Sequence, residues 1–158
     1  DLAAAIGDKT TIIFTGTETD AIKSFINSKT GAFTLLLPNI TTIGEQAFYG
    51  CASLANISLP SATAIGKHAF FGCVSFTTLS FGSVITELGY EAFYNVGNGA
   101  GNCALTLASE QQHMTNASAS SPGTPNGTPV TSADANALET ERTWGGYTWK
   151  SITISNNQ

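Results

Sequence analysis

One stretch of this chain is written twice, and that repetition limits the fold more than any other feature. Leu37-Pro38-Asn39-Ile40-Thr41-Thr42-Ile43-Gly44-Glu45-Gln46-Ala47-Phe48-Tyr49-Gly50-Cys51 returns 22 residues later as Leu59-Pro60-Ser61-Ala62-Thr63-Ala64-Ile65-Gly66-Lys67-His68-Ala69-Phe70-Phe71-Gly72-Cys73. A third copy, Phe81-Gly82-Ser83-Val84-Ile85-Thr86-Glu87-Leu88-Gly89-Tyr90-Glu91-Ala92-Phe93-Tyr94, carries one extra residue, so Gly66 to Gly89 spans 23 positions. A one-residue insertion is what a loop tolerates. A unit this short cannot bury its own apolar edge, so the copies must stack on one another.

Between copies the chain reads Leu54-x-x-Ile57-x-Leu59 and Phe76-x-x-Leu79-x-Phe81, with the last three positions alternating apolar, polar, apolar. That is the period of a half-buried strand, so each coil is expected to begin with one. The Ile-Gly-x-x-Ala-Phe segment then turns. Gly44, Gly66 and Gly89 are expected at a bend of positive φ, with Ala and Phe directed inward from a helical or 3₁₀ turn. Stacking places Phe48, Phe70 and Phe93 in a column, each large side chain stabilising the fold by roughly 1.5–3 kcal/mol on burial.

The pattern Leu-Pro-x-x-x-x-x-Ile-Gly-x-x-Ala-Phe-x-Gly-Cys-x-x-Leu resembles the BspA-type leucine-rich repeat, a family of surface and secreted proteins. The resemblance covers residues 37–96. It implies a short right-handed solenoid with a parallel β-sheet, secreted or lipid-anchored, used for adhesion or ligand binding, with no catalytic residues to carry over. The third copy departs from the pattern: Asn95-Val96 replaces Gly-Cys, and the run from Gly97 to Cys103 precedes the next strand.

The strand register extends outward through Phe33 to Leu37, Ala104 to Leu107 and Ser151 to Ile154, with Thr11 to Phe14 at the start, giving about six strands. Glu18 to Ser28 has Ala21, Ile22, Phe25 and Ile26 at helical spacing, with Thr17 or Thr19 as N-cap, and reads as a helix closing the first coil. The expected organisation is one α/β solenoid domain over residues 1–158: an N-terminal cap (1–36), repeats (37–107), a long loop (108–150) and a last strand (151–158).

Two rows face out from the strands: Ile13, Leu36, Ser58, Ser80, Thr106 and Thr153, beside Thr34, Asn56, Thr78, Ala104 and Ser151. They make a small, neutral, hydroxyl-rich face, read first as a solvated sheet surface and second as a ligand surface, with Asn56, Ser58, Thr78, Ser80 and Thr106 as its candidate contacts. The 43-residue excursion from Ala108 to Lys150 is far longer than a usual connection. Thr115 to Ser132 has the composition of a flexible or extended segment. Trp144, Tyr147 and Trp149 follow, read first as sealing the last coil, which something large and apolar must cover, and second as a stacking platform for a sugar ring.

Chemistry is sparse. Six basic against 11 acidic residues give a net charge of -5, which leaves no basic field for nucleic acid. No segment approaches the roughly 20 apolar residues of a membrane span. The chain opens without Met or a basic leader, so a secretory signal is expected to have been removed or to lie outside it. His68 occupies a variable turn position and is expected to be solvated; His113 lacks a second ligand at helical spacing. Glu87 with Glu91, and Glu139 with Glu141, read as solvated turn acids rather than a glycosidase pair. Cys51 and Cys73 recur at the repeat period and read as inert packed thiols, with Cys103 out of register. No catalytic residue, metal site or cofactor is expected.

The sequence thus points to a non-catalytic surface or secreted adhesion module, monomeric, meeting a host or matrix protein or a surface glycan. The rivals are a structural spacer within a larger surface protein and a small glycan-active enzyme. The low charge and the Ser- and Thr-rich composition favour an extracellular location.

Overall fold

The computed structural model describes residues 11–17, 19, 22, 23, 26, 27, 30–138 and 141–155. Six strands form one parallel sheet in the order β1 (Thr11–Ile13), β2 (Phe33–Leu36), β4 (Leu54–Leu59), β6 (Thr78–Phe81), β8 (Ala104–Ala108) and β13 (Ser151–Ser155). Ile12, Leu35, Ile57, Leu79, Leu105 and Ile152 pair across it in one buried row. The alternate positions, Ile13, Leu36, Ser58, Ser80, Thr106 and Thr153, form the facing row in the expected register. A parallel sheet built this way needs one crossover per strand, and the repeated turn supplies it.

A second parallel sheet, which the alternation did not reveal, lies inside the crossovers: β3 (Thr42–Ile43), β5 (Ala64–Ile65) and β7 (Glu87–Leu88). Each strand has two residues, too short for a period to be visible in sequence. Ile43, Ile65 and Leu88 point inward from it.

The Phe turns are hydrogen-bonded in two directions. The N–H groups of Gln46, Phe48 and Gly50 donate to Lys67, Ala69 and Phe71 of the next coil at 2.9, 2.8 and 2.7 Å. Those of Ala47, Tyr49 and Cys51 donate back within the turn, to Gly44, Gln46 and Phe48, at 3.2 Å each. Alternating donors in this way satisfies the backbone of a whole turn without a regular helix.

That geometry corrects the expected role of the glycines. Positive φ falls two residues later, at Gln46 (56°), His68 (53°) and Glu91 (49°), and again at Gly50 and Gly72. Gly66 and Gly89 are required by close approach instead. A Cβ on Gly66 would stand 2.6 Å from the Gly44 carbonyl carbon, and one on Gly89 would stand 2.2 Å from the Lys67 nitrogen. Asn95 (φ 55°) takes the place of Gly72, and Val96 the buried place of Cys73, so the third coil keeps its shape where its sequence departs.

The core column is present. Phe48 stacks on Phe70 at 5.4 Å between centroids and Phe70 on Phe93 at 5.7 Å, with interplanar angles of 16° and 10°. At the N-terminal end, Ile22 and Ile26 are buried and lie in helical backbone. Lys23 and Asn27 lie in helical backbone too, whereas Ala21 and Phe25 of the expected Glu18 to Ser28 helix lie outside the described residues.

The excursion after β8 holds more structure than its composition suggests. Two 3₁₀ turns (Val96–Asn98 and Ala100–Asn102) precede β8; after it come a hairpin of β9 (Gln112–Met114) with β10 (Pro125–Pro129), a single helical turn α1 (Ser132–Ala135) and a hairpin of β11 (Thr143–Trp144) with β12 (Tyr147–Thr148). The excursion, with its expected flexible stretch, is tied down at three places. Gln111, 0% exposed, donates its side-chain amide to the Ile85 carbonyl at 3.1 Å and accepts from the Ile85 N–H at 2.7 Å. Leu88 and Gly123 exchange both backbone hydrogen bonds, at 2.9 and 2.7 Å, and Val130 donates to Gln111 at 2.9 Å. One buried side-chain amide and backbone pairing, to which Ser, Thr, Pro and Gly content is blind, do the anchoring.

Candidate ligand-binding surfaces

The outer rows of the large sheet carry no charge from β2 to β8: Thr34, Leu36, Asn56, Ser58, Thr78, Ser80, Ala104 and Thr106. Parallel pairing holds equivalent side chains one strand apart, so small polar groups meet. Asn56 is the hub. Its amide donates to the Thr34 hydroxyl at 3.1 Å, and its carbonyl accepts from the hydroxyls of Thr77, at 2.8 Å, and Thr78. Ser58, Ser80 and Thr106 make no side-chain hydrogen bond among the described residues, so their half-buried hydroxyls remain open to a partner. At the N-terminal end Ile13 is 64% exposed, an apolar contribution beside the hydroxyls.

Trp144 and Trp149 lie elsewhere and do not reinforce this face. They are 1% and 0% exposed. Trp144 packs on Phe81 at 6.0 Å, and Trp149 stands edge-on to Phe93 at 5.6 Å. Their indole N–H groups donate to the Gln112 and Trp144 carbonyls at 3.1 and 3.0 Å. A sugar-stacking platform needs an open ring face, and neither offers one; the tryptophans seal the last coil, and that part of the expected site is withdrawn. Tyr147 is half-buried, edge-on to Phe93 at 5.9 Å, with its hydroxyl accepting from the Phe93 N–H at 3.3 Å. Burial raises its phenol.

His68 is not the solvated turn residue expected. Its ring is enclosed by Phe71 and Tyr90 at 5.4 and 5.6 Å, its Nε2 stands 3.3 Å from Glu91 Oε2, and its Nδ1 is buried without a partner. Stacked coils bring the equivalent positions 68 and 91 together, although they are far apart in sequence. The Glu91 carboxylate, by a hydrogen bond and by its charge, raises the Tyr90 phenol.

His113 Nε2 meets Asp134 Oδ1 at 3.1 Å. Burial works against the Asp134 charge, but the Thr131 N–H and hydroxyl and His113 outweigh it and hold the carboxyl below its ordinary range. Glu139 lies outside the described residues. Among those that are described, no group of three or more His, Cys, Asp and Glu could hold a metal ion.

The three thiols are buried and unpaired by disulfide. Cys73 donates to the Phe48 carbonyl at 3.0 Å and Cys103 to that of Phe76 at 3.3 Å. The Cys51 thiol, hydrogen-bonded beside it, and burial push Cys73 above the ordinary thiol range; burial pushes Cys103 up to about 11. A protonated thiol is a poor nucleophile, and Cys103, though outside the repeat register, is as interior as the others.

One feature of the turns went unread in the sequence although it was visible there. In each copy an aromatic follows the core Phe: Tyr49, Phe71, Tyr94. They form a second column on the outside, with centroids 5.0 and 4.9 Å apart and interplanar angles of 5° and 23°.

A parallel sheet, a Phe turn in each of three repeat copies and an uncharged face in register define a stacked-repeat protein. The chain belongs to the BspA type leucine-rich repeat family, whose model matches residues 21–104 in 6 copies, rather more than half of the chain and three more copies than direct alignment reveals. Comparison with curated proteins and with solved structures gave no match. No helix among the described residues is long and apolar enough to cross a membrane.

Proposed function

We propose that this chain is a non-catalytic binding module of a secreted or cell-surface protein, docking a protein partner through the outer face of its six-stranded sheet. The observation that carries this reading is the register itself. Ser58, Ser80 and Thr106 stand side by side on successive strands with their hydroxyls unpaired, while Asn56 and Thr78 are held in fixed orientation by each other. Small uncharged groups lose little on desolvation, and a flat row of donors and acceptors suits the roughly one hydrogen bond per 100–200 Å² of protein interfaces. The low charge and hydroxyl-rich surface support an extracellular location, on a matrix or host protein, for one monomeric domain whose repeat body runs through residues 37–107. Ile22 and Ile26, buried in helical backbone, support a helical N-terminal cap.

The test is a binding panel of matrix and host-surface proteins, read by biolayer interferometry, with the wild type and a Ser58→Lys, Ser80→Lys double variant. Two ammonium groups on adjacent strands are expected to weaken the partner by about tenfold or more. Unchanged affinity would move the interface off the sheet. A chain that binds nothing in the panel favours the spacer reading, which the small number of coils, and hence the short reach, makes the weaker one.

A further inference from the structure

The two aromatic columns end differently. The inner one, Phe48, Phe70 and Phe93, is closed by Tyr147 and Trp149, which stand edge-on to Phe93. The outer one ends at Tyr94, which is 52% exposed and whose one ring contact among the described residues is Phe71. Where a fourth coil would add its own ring, the C-terminal hairpins leave a hollow of about 280 Å³, lined by Tyr94, Tyr90, Glu91, Asn116, Gly146 and Tyr147. A second hollow of about 270 Å³ shares Gly89 and Tyr90 with it and is lined by Lys67, Glu87, Ser118 and Ser120 among others.

We propose that the first hollow seats a neutral hexopyranose ring on the open face of Tyr94, and that the second takes the next unit of the same oligosaccharide. Each hollow lies at the small end of ligand pockets, sized for one ring rather than an extended molecule. The lining is mixed in the way a sugar requires. One aromatic face meets the apolar C–H side of the ring, and the rim offers the Glu91 carboxylate and the Asn116 side-chain amide to hydroxyls. Asn116 makes no side-chain hydrogen bond among the described residues. Gly89 and Gly146 at the wall have no side chain to hold a ring away. An aromatic side chain from a protein would fit the Tyr94 face but leave the Asn116 amide desolvated and unpaired, which is costly. Glu87 and Glu91 against the single Lys67 disfavour an acidic sugar.

The site is separate from the sheet face, so the two readings fail separately. The experiment titrates ¹⁵N-labelled protein with neutral trisaccharides of glucose, galactose, mannose or N-acetylglucosamine, and with N-acetyltyrosine amide. At least one saccharide is expected to shift Asn116, Gly145 and Gly146 saturably at millimolar concentration. Tyr94→Ala is expected to weaken it about tenfold, as loss of a stacking face should. Asn116→Ala, a change at an exposed side chain that leaves folding intact, should weaken it also. Tyr49→Ala, at the opposite end of the column and outside the lining of both hollows, and the Ser58→Lys, Ser80→Lys variant should leave saccharide binding unchanged. The proposal is overturned by the absence of saturable shifts with every saccharide, by equal losses in Tyr94→Ala and Tyr49→Ala, by full binding in Asn116→Ala, or by tighter binding of N-acetyltyrosine amide in the hollow.

Discussion

Three glycines at one repeat position have different reasons to be there, and the difference is measurable. The missing Cβ at Gly89 leaves room for the Lys67 backbone, 2.2 Å from where that atom would lie, and Gly66 does the same against Gly44 and Glu45. Gly44 begins the series, and a Cβ there would meet only the Thr19 hydroxyl, at 3.5 Å. Backbone cannot step aside as a side chain can, so Gly89→Ala is expected to lower stability by about 2–3 kcal/mol through overpacking. Gly44→Ala should lie within about 0.5 kcal/mol of wild type, or raise stability slightly by stiffening the unfolded chain. Urea denaturation of the two variants decides; equal effects would refute the close-approach account.

The cysteines give a second prediction at this scale. The Cys103 thiol ionises at about 11 in the folded protein against 9.0 for a free thiol. Between these values the unfolded chain holds fewer protons than the folded one, so stability falls as pH rises; below pH 9 the contribution is fully present. Cys73 and Tyr147, also raised, act in the same direction. Denaturation midpoints are expected to drop through that window, and the drop should be shallower in Cys103→Ala. A thiol-specific reagent should label neither Cys73 nor Cys103 in the native protein and all three thiols in denaturant.

At the scale of the element, the excursion after β8 depends on one side chain. Gln111 meets both the N–H and the C=O of Ile85. Gln111→Leu would leave two buried backbone groups unsatisfied, and the expected loss is about 2–4 kcal/mol, with faster amide exchange at Leu88, Gly123 and Val130. A loss confined to global stability, with those amides still protected, would mean that the hairpin is held by its other contacts. Nothing in the sequence marks Gln111 for this: glutamines are usually on the surface, and the Ile85 backbone it meets is 26 positions away. By contrast the strand register and the Phe column were legible because each coil writes the same residues at the same place. What repetition announces is what stacks on its own kind. The positive φ at His68, the His68–Glu91 pair and the second sheet arise between coils, from which neighbour a residue is laid against, and a two-residue strand has no period to read. The outer aromatic column is the exception, since Tyr49, Phe71 and Tyr94 share a repeat position and needed only to be compared. Trp144 and Trp149 were legible as the large apolar groups that cover the last coil; what the sequence did not mark is the Gln112 and Trp144 carbonyls that take their N–H groups.

Over the whole molecule, stability is quasi-one-dimensional: each coil touches the coils before and after it, and free energy passes along the stack through those interfaces. An interior coil is therefore worth two interfaces and an end coil one. Phe70 stacks on both Phe48 and Phe93, so Phe70→Ala is expected to cost about 3–5 kcal/mol and to lower hydrogen-exchange protection in every strand of the large sheet. Trp149 lies against Phe93 at one end only, beneath the hairpin that precedes β13. Trp149→Ala should open β13 and the β11–β12 hairpin by sub-global unfolding, while β2 and β4 keep the exchange rates of wild type. The hollow at Tyr94 is built partly from that hairpin, through Gly146 and Tyr147, so the same variant should lose it while leaving the Asn56, Ser58 and Ser80 end of the sheet face in place. Uniform loss of protection from β1 to β13 in Trp149→Ala would show instead that the coils unfold as one unit, and that the sheet face and the C-terminal hollow cannot be separated by any change at the cap.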